Sequence, residues 1–155
     1  MNICLQRTLT ALLLLSGSSL AIAADATFTV GEPWVREAPP TANVMAGYMT
    51  LINAGDTPVT VTSISSPDFE GAEIHRTVVE AGVARMLPVT QLDIPANSQL
   101  KLEPGSLHLM LFKPQRPLSE GATATLTIHR SNGREVTVTA PVIRKTGEDH
   151  SHHHH

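Results

Sequence analysis

Cysteine and positive charge are scarce in this chain of 155 residues. The single cysteine, Cys4, lies close to the amino terminus, so the rest of the chain has no disulfide to form and no thiolate to offer. The 11 Lys and Arg residues are outnumbered by 14 Asp and Glu residues, and the formal net charge is −3 at pH 7 with neutral histidines. This balance argues against a nucleic-acid partner, which requires a basic face.

Long apolar runs are also missing, since none approaches the roughly 20 residues that cross a bilayer. The most apolar stretch follows Arg7 and ends in Ala21-Ile22-Ala23, with small residues at the two positions that signal peptidase reads. We therefore predict a signal peptide over residues 1–23 and a periplasmic protein without stable membrane insertion. An uncleaved anchor is the alternative.

Strand-like alternation dominates what remains. Polar and apolar residues alternate over 27–30, 57–64, 122–129 and 135–140, with Val, Thr and Ile prominent. Turn residues separate these runs, and Asn132-Gly133 is a strong hairpin signal. No segment shows a sustained helical stripe. The pattern predicts one all-β domain over residues 24–144, an antiparallel β-sandwich of seven to nine strands.

Two histidines and two methionines are spaced as His75, ten residues, Met86, twenty-one residues, then His108 and Met110. Residues two apart on a strand share a face, so His108 and Met110 can meet one ion. A hairpin centred between residues 80 and 81 would place His75 directly opposite Met86. Thioether sulfur combined with neutral imidazole suits monovalent copper. The spacing therefore indicates a Cu(I) site.

A second group of imidazoles lies in the polar segment 145–155, which we predict to be a disordered tail. It comprises His150, His152, His153, His154 and His155. Clustered imidazoles suit Cu(II), Zn(II) or Ni(II), so the tail is a candidate secondary Cu(II) site. The sequence leaves open whether this tail is native or an affinity tag.

The stretch from Glu73 to Leu111 resembles the PCuAC family of periplasmic copper chaperones. The family pattern H-x10-M-x21-H-x-M is matched at all four positions, and Trp34 with segments 36–40 and 46–51 resembles the first conserved block. The resemblance covers about residues 28 to 142 and implies a cupredoxin-like β-sandwich with Greek-key connections. It also implies that His75, Met86, His108 and Met110 are the Cu(I) ligands.

The resemblance further implies a role in copper trafficking. Its expected destination is the copper centre of cytochrome c oxidase, with a Sco-type thioredoxin-like protein and oxidase subunit II as partners. Two departures from the family stand out. Arg76 replaces a common methionine and is expected to bring a cation near the copper, and Ser106-Leu107 alters the loop before the second histidine.

Other function classes find less support. A blue-copper electron carrier needs a thiolate ligand, which the chain after Cys4 lacks. No Gly-x-Ser-x-Gly motif or paired carboxylates indicate an enzyme, so we expect none. Two alternatives stay open: a periplasmic copper buffer or resistance protein, and a structural adhesion β-sandwich with incidental His and Met residues. Met45 and Met49 are expected in the core, with a second weak copper site as the alternative.

Overall fold

The computed structural model describes residues 27–145, in which every regular element is a β-strand. The predicted signal peptide and the histidines of the predicted tail lie outside the described residues. Ten strands follow one another within residues 27–145: β1 (Phe28–Arg36), β2 (Val44–Asn53), β3 (Val59–Ser65), β4 (Phe69–Glu80), β5 (Val83–Val89), β6 (Leu92–Ile94), β7 (Ser98–Leu102), β8 (Leu107–Pro114), β9 (Thr123–Arg130) and β10 (Glu135–Ile143). Residues 27–145 include no helix long and apolar enough to span a bilayer.

The strands are hydrogen-bonded in the order β5-β4-β8-β2-β1-β10-β9-β3-β6, with β7 also paired to β2. All pairs are antiparallel except β1 with β10, which run parallel and join the two layers of the sandwich. The predicted β-sandwich is thus confirmed, with one more strand than the predicted maximum and a single parallel pair.

Buried side chains from both layers form one continuous core. In β8 the alternation is clear, because Leu107, Leu109 and Leu111 are all buried against this core. Met45 and Met49 of β2 are also buried there, at 4% and 2% exposure, which confirms their expected core role. The side chains between the β8 leucines therefore project to the other face of the layer.

Two hairpin turns set the pairing of their strands. The predicted turn at Asn132-Gly133 is confirmed between β9 and β10, with Gly133 at a φ of 77°. The β4–β5 turn is a two-residue loop of Ala81 and Gly82, whose φ angles are 49° and 77°. Positive φ at both loop residues is characteristic of a type I′ turn, which matches the twist of the flanking strands.

Candidate metal centre

The two histidines of the predicted site lie side by side near one edge of the sheet. Antiparallel pairing of β4 with β8 places His75 directly opposite His108, so both side chains project to the same face. Their ring centroids are 6.2 Å apart with an interplanar angle of 37°. Met110 is two residues beyond His108 and shares that face. Three of the four predicted ligands thus lie on adjacent strands of one surface.

Met86 reaches the same face by a different register from the one the sequence suggested. The prediction of His75 opposite Met86 is wrong, because the turn is centred one residue later, between Ala81 and Gly82. His75 lies opposite Pro88, and Met86 lies opposite Thr77. A shift of the turn by one residue moves the pairing by two positions, which preserves the face. Met86 is therefore a diagonal neighbour of His75, a separation that long side chains can bridge.

His108 has one ring nitrogen without a hydrogen-bond partner. Its Nδ1 lies 3.0 Å from the carbonyl oxygen of Ser106, which can only accept a hydrogen bond, so Nδ1 carries the proton. Its Nε2 is buried and has no hydrogen-bond partner. In the neutral ring that nitrogen holds a lone pair. Leaving such a group buried without a partner is unfavourable, so the geometry fits a metal ion at this point.

His75 shows the opposite arrangement of its two nitrogens. Its Nε2 donates to Glu73 Oε2 at 2.8 Å, while its Nδ1 is buried without a hydrogen-bond partner. The carboxylate accepts only, so the neutral ring has its lone pair on Nδ1. The two histidines thus offer different nitrogens, Nδ1 of His75 and Nε2 of His108. A carboxylate or carbonyl that holds the second ring nitrogen is the usual environment of a metal-binding histidine.

The thioethers form the open side of this group, which we call the copper cluster (His75, Met86, His108 and Met110). Met86 is 58% exposed, whereas His108 is 6% exposed and the His75 side chain 12%. A cleft of about 280 Å³ borders the cluster, and we call it the open cleft. It is lined by Arg36, Val44, Met45, Ala46, Tyr48, Thr77, Met86, Pro104, Gly105, His108 and Met110. An ion held by these residues would therefore be reached through the open cleft, where Met86 is the most exposed of them.

The cation beside the cluster is not the one that the sequence suggested. Arg76 lies opposite Leu107 and Leu87, on the other face of β4 from His75, so the expectation of a cation there near copper is wrong. Arg36 of β1 lies in the open cleft instead. Strand alternation in the sequence could have predicted that Arg36 shares a face with Trp34. Only the pairing of β1 with β2 and of β2 with β8 shows that this face also carries predicted ligands.

Among residues 27–145, no three His, Cys, Asp or Glu side chains group together as a metal site. The copper cluster depends on its methionines for half of its donors. His129, the third histidine outside the tail, lies on β9. It forms a hydrogen bond with Ser65 of β3 and pairs with Glu135 of β10. The histidines of the predicted Cu(II) tail lie outside the described residues.

Residues 28–142 match a family model described as "Putative lipoprotein LpqE-like". The chain belongs to the LpqE-like family. The uncharacterized protein RP573 of Rickettsia prowazekii is 32% identical over 126 residues, which cover 77% of this chain and 68% of that protein. The LpqE-like match spans both halves of the sandwich and all four residues of the copper cluster.

Solved structures extend the LpqE-like assignment to the PCuAC domains. The solution structure of Cu(I)-bound DR1885 from Deinococcus radiodurans has a TM-score of 0.62 and 31% identity, covering 81% of this chain and 83% of that one. The copper-bound PCuAC domain from PmoF2 has a TM-score of 0.66 at 23% identity, covering 79% and 97%. These matches confirm the resemblance to PCuAC domains and the cupredoxin-like β-sandwich.

Proposed function

We propose that this protein is an exported carrier of monovalent copper, not an enzyme, and that it holds the ion through His75, Met86, His108 and Met110. One observation carries the proposal. Two buried imidazole nitrogens without hydrogen-bond partners face the same side of the sheet as two thioethers. Cu(I) accepts this mixture of soft sulfur and borderline nitrogen donors. The LpqE-like family and the Cu(I)-bound structure of DR1885 support it.

The site is built to retain copper reversibly. The two imidazoles are held by Ser106 and Glu73, so the nitrogen half of the site is preorganised. The sulfur half is open, and thioethers bind more weakly than the thiolates of many copper acceptors. A carrier needs this combination, because the ion must stay bound in transit and still leave when a stronger ligand arrives.

Delivery to the copper centre of cytochrome c oxidase is the destination we propose, with a Sco-type protein and oxidase subunit II as collaborators. The support is the resemblance to PCuAC chaperones over residues 28–142. A copper buffer or resistance protein would use the same cluster without passing the ion on. Transfer of Cu(I) to an apo form of oxidase subunit II distinguishes the two roles, since a buffer would leave the acceptor empty.

The ligand assignment is tested by removing one donor from each half of the cluster. We expect His108→Ala and Met110→Ala each to weaken Cu(I) affinity by at least about a hundredfold, roughly 3 kcal/mol of binding free energy. The measurement is an anaerobic competition titration against a chromophoric Cu(I) chelator. The fold should persist, because both side chains project away from the core while the alternate leucines remain.

Matched controls come from a histidine and a methionine outside the cluster. His129→Ala and Met49→Leu should leave Cu(I) affinity within about twofold of the parent protein, since neither residue lines the open cleft. Unchanged affinity in either His108→Ala or Met110→Ala would refute the assignment. Micromolar or weaker binding by the parent protein would favour the structural, non-metal alternative.

A further inference from the structure

The two halves of the copper cluster differ in how they can be approached. His108 on β8 is buried and the His75 side chain on β4 is 12% exposed, whereas Met86 is more than half exposed on the edge strand β5. Both methionines and His108 line the open cleft, and His75 does not. A molecule that exchanges copper with this protein would therefore approach through that cleft, where Met86 is the most exposed donor.

Arg36 is the one formally charged residue among those of residues 27–145 that line the open cleft. Its guanidinium lies 5.9 Å from the ring centroid of Trp34 and 5.7 Å from that of Tyr48, and these rings, themselves 4.4 Å apart, hold it in place. Arg36 Nε is buried and has no hydrogen-bond partner. The two rings hold the guanidinium at the lining of the cleft, so the cleft carries a fixed positive charge.

The pairing of the strands places Arg36 in the same row as Met110, with one strand between them. Arg36 lies opposite Ala46, and Ala46 lies opposite Met110, so the three residues form one row across the sheet. Glu73 lies directly opposite Met110 on its other side, but its carboxylate is hydrogen-bonded to His75 Nε2 and Glu73 does not line the open cleft. Glu32 and Glu103 line a neighbouring cleft. Among the described residues that line the open cleft, the only formal charge is thus positive, which favours an anion there.

We infer that the open cleft receives the anionic donor group, a thiolate, of the molecule that exchanges copper with this protein, and that Arg36 attracts and orients it. The inference rests on the proposed function. The incoming thiolate sulfur forms a bond to Cu(I) as the bond from Met86 sulfur breaks. Copper remains monovalent, and the thiolate arrives already deprotonated, so no electron or proton is transferred. Met86 leaves first because it is the most exposed donor.

A comparison of two small sulfur donors for Cu(I) tests this inference. Thiosulfate is an anion, whereas thiourea is neutral, and each can extract Cu(I) from the loaded protein. We expect Arg36→Gln to slow extraction by thiosulfate about fivefold and to leave extraction by thiourea unchanged, because one fixed charge mainly alters the encounter with a charged partner. The copper left on the protein is measured after rapid mixing and gel filtration under anaerobic conditions.

Two variants serve as controls for charge and position. Arg36→Lys retains the positive charge and should keep at least half of the thiosulfate rate. Lys101→Gln removes one positive charge from the neighbouring cleft. It should slow the extraction of Cu(I) by thiosulfate less than Arg36→Gln does. The role of Arg36 would be overturned if Arg36→Gln slowed extraction by thiosulfate and thiourea equally, or if it did not slow extraction by thiosulfate.

Salt supplies a second test of the charge. Both the parent and Arg36→Gln carry a net negative charge that repels thiosulfate, so the two proteins are compared at each salt concentration. Raising the salt concentration from 50 to 500 mM should reduce the difference between their rates of extraction by thiosulfate, since salt screens the attraction to Arg36. A difference that does not change with salt would contradict the inference. Failure of the proposed function looks different, because a chain that takes up no Cu(I) has no copper to extract by either donor.

Discussion

At the scale of single residues, hydrogen bonds decide which nitrogen each histidine can give to a metal. Ser106 holds the proton of His108 on Nδ1, and Glu73 holds the proton of His75 on Nε2. The sequence identified both histidines through their spacing, but spacing carries no information on tautomers. Spacing also does not reveal the role of Glu73, which bonds His75 because residues two apart on β4 share a face.

Glu73 is therefore expected to act as a positioning residue for copper. We predict that Glu73→Ala weakens Cu(I) affinity at least tenfold, whereas Glu73→Gln, whose amide oxygen still accepts from Nε2, retains most of it. Competition titration measures the affinities. Long-range proton–nitrogen NMR of the apo protein should show His75 protonated at Nε2 in the parent and as mixed tautomers in Glu73→Ala.

The same variants should have little effect on folding, because the Glu73 carboxylate is 58% exposed and surface pairs contribute little to stability. If all three proteins bound Cu(I) with equal affinity, or if His75 of the parent were protonated at Nδ1, the positioning role of Glu73 would be refuted.

At the scale of elements, the β4–β5 hairpin places Met86. Its loop has alanine at the first of two positions with positive φ, where an L residue with a Cβ atom is strained. Alanine is uncommon at such a position, so the turn residues did not indicate the register. Ala81-Gly82 lacks the Asn-Gly or Asp-Gly signature that predicts a type I′ turn. The predicted centre was consequently one residue too early.

Replacing the strained alanine should stabilise this hairpin. We expect Ala81→Asn to raise the free energy of unfolding by about 0.5–1 kcal/mol, because asparagine tolerates positive φ. Gly82→Ala should have the opposite effect by about 1 kcal/mol. A Cβ atom at Gly82 would meet no heavy atom within 4 Å, so its effect would come from conformation alone.

Urea unfolding of the three proteins, followed by circular dichroism, measures both changes. Cu(I) affinity of Ala81→Asn should stay equal to or slightly above that of the parent, because the register of Met86 is unchanged. A less stable Ala81→Asn protein would show that the loop does not need positive φ at this position.

At the scale of the whole molecule, the parallel pairing of β1 with β10 joins the two layers, and an ion pair closes it. Arg144, just after β10, donates to both carboxylate oxygens of Glu37, just after β1. The backbone amide of Glu120 donates to the same carboxylate at 3.0 Å. The side-chain hydrogen bonds from Arg144, followed by the Glu120 amide, lower the pKa of Glu37.

This pair should contribute to stability in a defined pH range. A carboxyl group whose pKa is lowered by folding stabilises the protein above its unfolded pKa, about 4.3 for glutamate. The contribution is lost as the pH falls through the folded value. We therefore predict that Glu37→Gln is less stable than the parent at pH 7 and that the two converge in strong acid.

Urea unfolding between pH 7 and pH 3 measures this convergence. Glu70→Gln is the matched control, since Glu70 forms an exposed pair with Lys113 at 2.9 Å and should have little effect at any pH. A difference between Glu37→Gln and the parent that stays constant through the acid range would contradict the assignment.

The sequence alone determined the properties that depend on local order. Alternation along the chain predicted the strands, because neighbouring side chains of a strand point to opposite faces. It also placed His108 and Met110 on the face opposite the core leucines of β8, and the donor types alone indicated Cu(I).

Only the tertiary structure decided how distant segments meet. It paired His75 with His108, moved Met86 to a diagonal position, and brought Arg36 instead of Arg76 to the cluster. These features depend on strand order and turn position, and a small shift in either changes which side chains face one another. Local alternation survives such shifts, whereas the neighbours of a site across several strands do not.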